Sequence, residues 1–473
     1  MGVSGWAKPA VSVALVAVLA LGFAPDAERP ALGATPLPNV VLILTDDQRW
    51  DTLWAMPNVR SSLVDHGVSF TNAFTVNPWC CPSRASILTG QPSHTNGVWR
   101  NSPPHGGFAS FADGSTLATW LQDAGYRTGL VGKYLNGYER DKSYIPPGWN
   151  RWVAFTSSTH EYYGYTLSVD GAPRAYGTTA KDYSTDVLRN YATSFIRRTR
   201  VDEPLFLYFV PNAPHGLEGS GLEAPPPKAA PRHSRTFVNL PPFRPPSWNE
   251  PDVSDKPAYI QAETAADADL FRKRQYKSLL AVDDAVKAIV GALRDTDRLR
   301  NTMIVFASDN GFLWGEHRWG GKRVPYEESI RIPLAIRFDS VTIDSRKDSR
   351  LATTIDLAPT IAEAAGVAAP GAEGLSLMPA LSGTDVAWRD DFLVEHLQGT
   401  NDPVETYCAV RNHRYLYAVY QTGERELYDL TLDPYQLTSV AADPEQSTTV
   451  ASLDARLREL CVPPPPGFSF PDQ

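Results

Sequence analysis

The sequence predicts an α/β fold, on three observations. Asn39–Thr45 is an unbroken apolar run, the mark of a strand covered on both faces in a parallel or mixed sheet. Leu205–Val210 and 303–307 repeat that pattern, each after an amphipathic helical stretch, at 184–197 and 276–294. Helix alternating with buried strand builds a sheet sandwiched between helices. The chain has 473 residues, 42% apolar and 21% charged, which suits about three domains or one large unit with an appendage and excludes wholesale disorder, a collagen-like chain or a multi-span membrane protein.

In order along the chain, Lys8 precedes an apolar run over 10–23, and small residues follow up to Ala34, as in a secretory signal. The run is short of the roughly 20 residues that span a bilayer, and an uncleaved anchor is the alternative. After the first strand, a helix is expected over 115–124, with Leu117, Trp120, Leu121 and Ala124 on one face and Gly125 at its stop, then a strand over 126–131. The stretch 224–257 is rich in proline and reads as an irregular excursion, held in order by Phe237, Phe243 and Trp248. A helix over 354–365 ends at Gly366. Short strands follow at 407–411, Tyr415–Tyr420 and 426–430, and a last helix carries Val450, Leu453, Leu457 and Leu460. The division expected is a signal segment 1–34, a main domain 37–383 and a C-terminal α+β subdomain 384–473.

Charge limits the partners. With 44 basic against 53 acidic residues and a net charge of −9, no basic block is available for a nucleic-acid backbone. An anionic ligand must meet local positive charge. The four cysteines are too few for a disulfide scaffold. Export places the chain in an oxidising compartment, where Cys408 and Cys461 could pair.

Asp46 and Asp47 sit past the end of the first strand, and Asp309 and Asn310 past the strand near Ala307. Ligands gather at the carboxyl edge of such sheets. An all-oxygen set with three carboxylates suits calcium or magnesium rather than zinc. Taken singly, Asp309-Asn310-Gly311 is equally a turn, and Asp46-Asp47 equally a helix cap. In Cys80-Cys81-Pro82-Ser83-Arg84, Pro82 suits the first turn of a helix that Gly90 ends, which leaves Cys80 at the helix start. That position would activate a thiolate or bind an oxyanion, although adjacent cysteines equally pack as small apolar residues.

Cys80-Cys81-Pro82-Ser83-Arg84 followed by Leu88-Thr89-Gly90 resembles the signature of the sulfatase family, within the alkaline phosphatase-like superfamily. Leu44 to Asp47, Gly132 to Tyr138, Ala213-Pro214-His215, Ser308 to Gly311 and Gly315-Glu316-His317 followed by Lys322 extend the likeness along most of the chain. The Gly132 to Tyr138 run looks most like the N-acetylglucosamine-6-sulfatase and heparan endosulfatase branch.

The resemblance implies a sandwich with a large mixed central sheet and a smaller C-terminal subdomain. It implies a secreted sulfuric ester hydrolase acting on a sulfated sugar, such as 6-sulfated N-acetylglucosamine, or on an aryl sulfate. Cys80 would be oxidised to formylglycine by a formylglycine-generating enzyme, while Cys81 stays a cysteine. Hydrated, the aldehyde supplies one hydroxyl to attack sulfur and a second to expel sulfate. Asp46, Asp47, residue 80, Asp309 and Asn310 would hold calcium, with magnesium as the alternative. Arg84 would hold the modified side chain, Lys133, His215 and Lys322 would bind sulfate and stabilise the departing charge, and His317 would either contact substrate or give structural support. Outside that context, Lys133 and Lys322 read as solvated cations and His215 as a loop histidine. Many arylsulfatases have a histidine two residues after the equivalent of Lys133, where this chain has Leu135. The base acting on the diol is therefore unassigned. Two other readings stay open: a phosphonate or phosphate monoester hydrolase of the same superfamily, and a non-catalytic binder of sulfated glycans with unconverted Cys80.

Overall fold

Period-two alternation in a strand sends successive side chains to opposite faces, and the first strand, β1 (Asn39–Thr45), buries both. Val40, Leu42 and Leu44 join one apolar cluster with the helices Cys80–Thr89, Leu117–Asp123 and Leu357–Ala365. Val41 and Ile43 join another with the helices Pro57–Ser62, Ser184–Arg198 and Asp269–Asp295. The computed structural model describes residues 1–10, 36–140, 143–157, 161–219, 221–264, 267–342 and 344–471.

Two units separate, Met1–Pro36 and Leu37–Gln473. In the first, residues 1–10 are exposed without helix or strand, and the apolar run of the expected secretory segment lies almost wholly outside the described residues. Among the described residues no helix is long and apolar enough to cross a membrane.

In the second unit, β1 is followed by β2 (Val68–Phe74), β3 (Arg127–Gly132), β4 (Arg151–Phe155), β5 (Thr166–Val169), β6 (Ala172–Ala175), β7 (Leu205–Val210) and β8 (Thr302–Ser308). A two-residue hairpin, β9 (Leu313–Trp314) with β10 (Gly320–Gly321), precedes β11 (Leu334–Phe338) and β12 (Arg346–Thr353). The ten-stranded central sheet runs β12-β2-β11-β8-β1-β7-β3-β4-β5-β6. Its middle strands β8, β1, β7, β3 and β4 are parallel, while β11 and the β5-β6 edge are antiparallel. The sheet is mixed, as expected.

The buried strands and long helices fall within a few residues of their expected places. The helix expected from 276 starts earlier, at Asp269. Its buried face, Leu279, Val282, Val286, Ile289 and Leu293, contributes about 1.5–3 kcal/mol per side chain. Residues 224–257 hold only one short helical turn, Pro231–His233, and Phe237 and Phe243 pack against the second apolar cluster. Trp248 instead carries the Arg244 guanidinium 4.0 Å from its ring centroid.

The C-terminal segment forms an antiparallel sheet, β13 (Asp391–His396), β14 (Tyr407–Asn412), β15 (Tyr415–Tyr420) and β16 (Arg425–Asp429). One face shares an apolar cluster with Phe74, Tyr326 and Ile330. The other is covered by the Ser447–Leu460 helix, and Cys408 of β14 is disulfide-bonded to Cys461 just beyond that helix.

Candidate active site

Because β8, β1, β7 and β3 are parallel neighbours, their carboxyl ends share one edge. Asp309 and Asn310 follow β8, Asp46 and Asp47 follow β1, His215 follows β7 after a short turn, and Lys133 follows β3. Gly132 makes the last placement possible. A Cβ there would lie 1.9 Å from the Val210 carbonyl oxygen, and its φ is 134°, so only glycine lets the Lys133 amide donate to that same oxygen at 2.8 Å. Asp47 also adopts a positive φ, 66°, and its amide donates to Asp309 Oδ1 at 3.1 Å.

The Cys80–Thr89 helix is buried along its whole length. Pro82 lies in its first turn, where a missing N–H costs nothing, and Gly90 ends it at φ 71° with its amide on Ser86. Arg84, one turn in, donates from Nε to Asp309 Oδ2 at 2.8 Å and from Nη1 to the Lys133 carbonyl at 3.1 Å. Its Nη2 lies 3.4 Å from Asp46 Oδ2. Lys133 Nζ donates to the same Asp46 oxygen at 2.5 Å. Lys322, just beyond β10, donates to Asp47 Oδ1 and lies 2.7 Å from Cys80 Sγ. The sulfur is 3.5 Å from Asp46 Oδ1.

These groups are cut off from solvent. Asp46, Asp309, Asn310 and Lys322 have no exposed surface, and Lys133 has 7%. Burial opposes the charges of Arg84 and Lys322, but the surrounding carboxylates together outweigh it and hold both cationic. Burial, reinforced by Asp46, pushes Asp309 up to about 6. Three cations face three carboxylates, so the site is near neutral and an added divalent cation would make it attractive to an anion.

The acceptors suit such a cation. One ligand atom each of Asp46, Asp47, Cys80 and His215 lie within 4.8 Å of one another. Asp47 Oδ2 and Asn310 Oδ1 are buried and accept no hydrogen bond among the described residues. His215 Nδ1 is 2.7 Å from the Gly216 carbonyl, which can only accept, so Nδ1 carries the proton. Burial lowers the ring's pKa and favours the neutral form. Nε2 then presents a lone pair 3.4 Å from Asp47 Oδ2, and two acceptors at that distance are stabilised by a cation between them.

The structure brings together Asp46, Asp47, Cys80, Arg84, Lys133, His215, Asp309, Asn310 and Lys322. It bears on the sequence reading in three places. Burial outweighs both lysines and pushes the Cys80 thiol up to about 12, so the helix start does not make it a thiolate. Both Asp309 oxygens accept protein donors, and His215 joins Asp46, Asp47 and Cys80 in a possible ligand cluster. His317 is fully buried, with Nδ1 2.7 Å from Glu250 Oε2 and its ring 4.2 Å from that of Tyr326. Those partners hold it in place within the hairpin that delivers Lys322, while its Nε2 is buried without a hydrogen-bond partner among the described residues.

A polar group beside residue 80 was missed. Arg323 Nη1 is 2.5 Å from Asp402 Oδ1 and its guanidinium lies 5.5 Å from the Trp79 ring centroid. The His396 ring is 5.5 Å from that of Trp79. Trp79 Nε1, Arg323 Nε, His396 Nδ1 and Asp402 Oδ2 are buried without hydrogen-bond partners among the described residues. The available signal was adjacency: Trp79 precedes Cys80, and Arg323 follows Lys322.

A family profile described as sulfatase matches residues 38–367, and one described as N-sulphoglucosamine sulphohydrolase, C-terminal, matches 315–462. The chain is 33% identical over 468 residues to an N-acetylglucosamine-6-sulfatase of Homo sapiens, covering 87% of this chain and 82% of that protein. It is 34% identical over 380 residues to an extracellular sulfatase SULF-1 homolog of Drosophila melanogaster, covering 76% of this chain but only 33% of that longer protein. A solved structure described as a complex with its substrate D-glucosamine-2-N,6-O-disulfate superposes with a TM-score of 0.75 at 24% identity, covering 89% and 97% of the two chains. A phosphonate monoester hydrolase of Agrobacterium radiobacter superposes with a TM-score of 0.69 at 22% identity, covering 90% and 96%. At such identities the superpositions establish the fold alone.

Proposed function

Since this chain belongs to the sulfatase family, a family of sulfuric ester hydrolases, we propose that it hydrolyses the sulfate ester of a sulfated sugar, of the 6-sulfated glucosamine type, using a formylglycine made from Cys80 and a calcium ion. The observation that carries this reading is the position of residue 80, with Lys322 Nζ at 2.7 Å and Asp46 at 3.5 Å. Magnesium would suit the same oxygen donors.

The unmodified thiol, protonated at neutral pH, is a poor nucleophile. The hydrated aldehyde would supply the attacking hydroxyl and the second hydroxyl that releases sulfate. Asp46, Asp47, Asn310 and His215 would hold the cation through the acceptors described above. Arg84, locked on Asp309 and Asp46, fixes the helix start against the strand edge. Lys133 and Lys322 would turn their ammonium groups from carboxylates to sulfate oxygens, where donors of fixed position stabilise developing charge. His215, with Nδ1 committed to Gly216, has Nε2 for the leaving oxygen or the cation. Trp79 Nε1, Arg323 Nε and His396 Nδ1, without hydrogen-bond partners among the described residues, would meet hydroxyls of the sugar ring. The Cys408–Cys461 disulfide supports an exported chain, matured by a formylglycine-generating enzyme.

The test pairs chemistry with activity. Mass spectrometry of the peptide containing residue 80 should find aldehyde in preparations that turn over an aryl sulfate and 6-sulfated N-acetylglucosamine. Turnover by protein holding only free thiol would exclude this route, and a strong preference for an aryl phosphonate would move the chain to the phosphonate hydrolase reading.

A further inference from the structure

A cavity of about 640 Å³ lies apart from the residues just described, and none of Asp46, Asp47, Cys80, Lys133, His215 and Lys322 lines it. Five segments line it, among them Trp50 beyond β1, Phe243 and Arg244 of the proline-rich stretch, and Tyr435 beyond β16. Glu328 also lines it. That residue is 7% exposed, and its carboxylate accepts no hydrogen bond from, and forms no ion pair with, any other described residue.

The Glu328 carboxylate accepts from its own backbone amide, and a buried carboxylate with so little compensation is costly. Burial, then the nearby Glu316 charge, push Glu328 up to about 7. The cations around it are engaged elsewhere: Arg49 with Glu316 at 2.7 Å and Asp51 at 3.0 Å, Arg411 with Glu327 at 2.9 Å, and Arg331 with Glu327 at 3.5 Å. Glu328 is the acceptor left over. Around the same space stand the 42% exposed ring of Tyr435 and the half-buried rings of Trp50, which carries the Arg49 and Arg331 guanidiniums at 5.0 and 5.2 Å, and of Phe243, which carries those of Arg49 and Arg272 at 5.4 and 5.5 Å. Aromatic faces beside an open carboxylate fit a pyranose, whose C–H face lies on a ring while its hydroxyls donate to the acid. The volume is that of a small-molecule site.

We propose that this cavity is a second carbohydrate site, taking one or two pyranose rings of a glycan apart from the ring presented to residue 80. It rests on the reading of the substrate as a sugar, and its test is separable from that reading. The unsulfated probe N,N′-diacetylchitobiose, which offers nothing to hydrolyse, is titrated into the full chain with saturation-transfer-difference NMR as readout. Glu328→Gln and Tyr435→Ala should each weaken binding about tenfold and leave aryl sulfate turnover unchanged. Absence of saturable binding to the unsubstituted chain, or binding by both variants as tight as by the unsubstituted chain, overturns the proposal. Loss of aryl sulfate turnover in every protein, with probe binding intact, would remove the hydrolase reading and leave the carbohydrate site standing.

Discussion

Lys322 and Cys80, 242 residues apart in the chain, meet with nitrogen and sulfur 2.7 Å apart while the same ammonium touches Asp47. The lysine therefore bridges the nucleophile position and a carboxylate of the proposed cation site. Lys322→Ala is expected to lower kcat on an aryl sulfate about 10²–10³-fold, the scale for loss of one fixed donor to developing charge. Steady-state kinetics on protein checked for folding by Tm decides it. An unchanged kcat would place Lys322 outside the reaction.

Cation binding should be visible without turnover. Calcium added to chelator-treated protein is expected to stabilise it by about 2.7 kcal/mol when present at 100 times its Kd. The shift should vanish in Asp47→Ala, which removes the buried oxygen that accepts no hydrogen bond among the described residues. Equal Tm values with calcium and with chelator would count against a site at Asp47.

Glu328 gives a pH signature. Its pKa is raised from 4.5 to about 7 by burial and Glu316, against the opposing pull of His317 and Arg49. The folded state holds the proton more tightly than the unfolded chain, so this group's stabilisation is complete below pH 4.5 and is lost as pH rises through 7. Relative to Glu328→Gln, the unsubstituted chain should lose on the order of 2–3 kcal/mol over that interval. Denaturation curves of the two proteins across that range check this, and a constant difference contradicts it.

The Cys408–Cys461 bond spans 53 residues. Loop-closure entropy for that span gives roughly 4 kcal/mol as an upper figure. Cys461→Ser, or reductant added to the intact chain, should lower Tm while the ten-stranded sheet persists by circular dichroism. Identical melting with and without reductant would contradict a structural role for the bond.

What could be read in advance followed from local pattern. Asn39–Thr45 and Leu205–Val210 announced themselves because strands buried on both faces are continuously apolar. That rule also put Asp46 and Asp309 at a common edge, and Pro82 with Gly90 bounded the helix that carries Cys80. β2 and β12 were illegible for the opposite reason. VSFTNAF and RKDSRLAT are polar along much of their length, and their strand form comes from pairing with each other across nearly 280 residues. The site followed suit. Nothing near His317 reveals that Glu250 takes its Nδ1, and the group of Trp79, Arg323, His396 and Asp402 exists only once distant segments meet.

The seven residues of β1, five of them apolar, sit in the middle of the sheet, between β7 and β8. Asn39 finds Leu205 166 residues later, and Thr45 finds Ala307 262 residues later. During synthesis this sticky ribbon leaves the ribosome long before either neighbour has been made. Any shortened product ending ahead of residue 205 would expose it on both edges, a template for self-association. Yield in the cell should thus respond to holdase chaperones and to growth temperature well before any change at the reacting residues is felt.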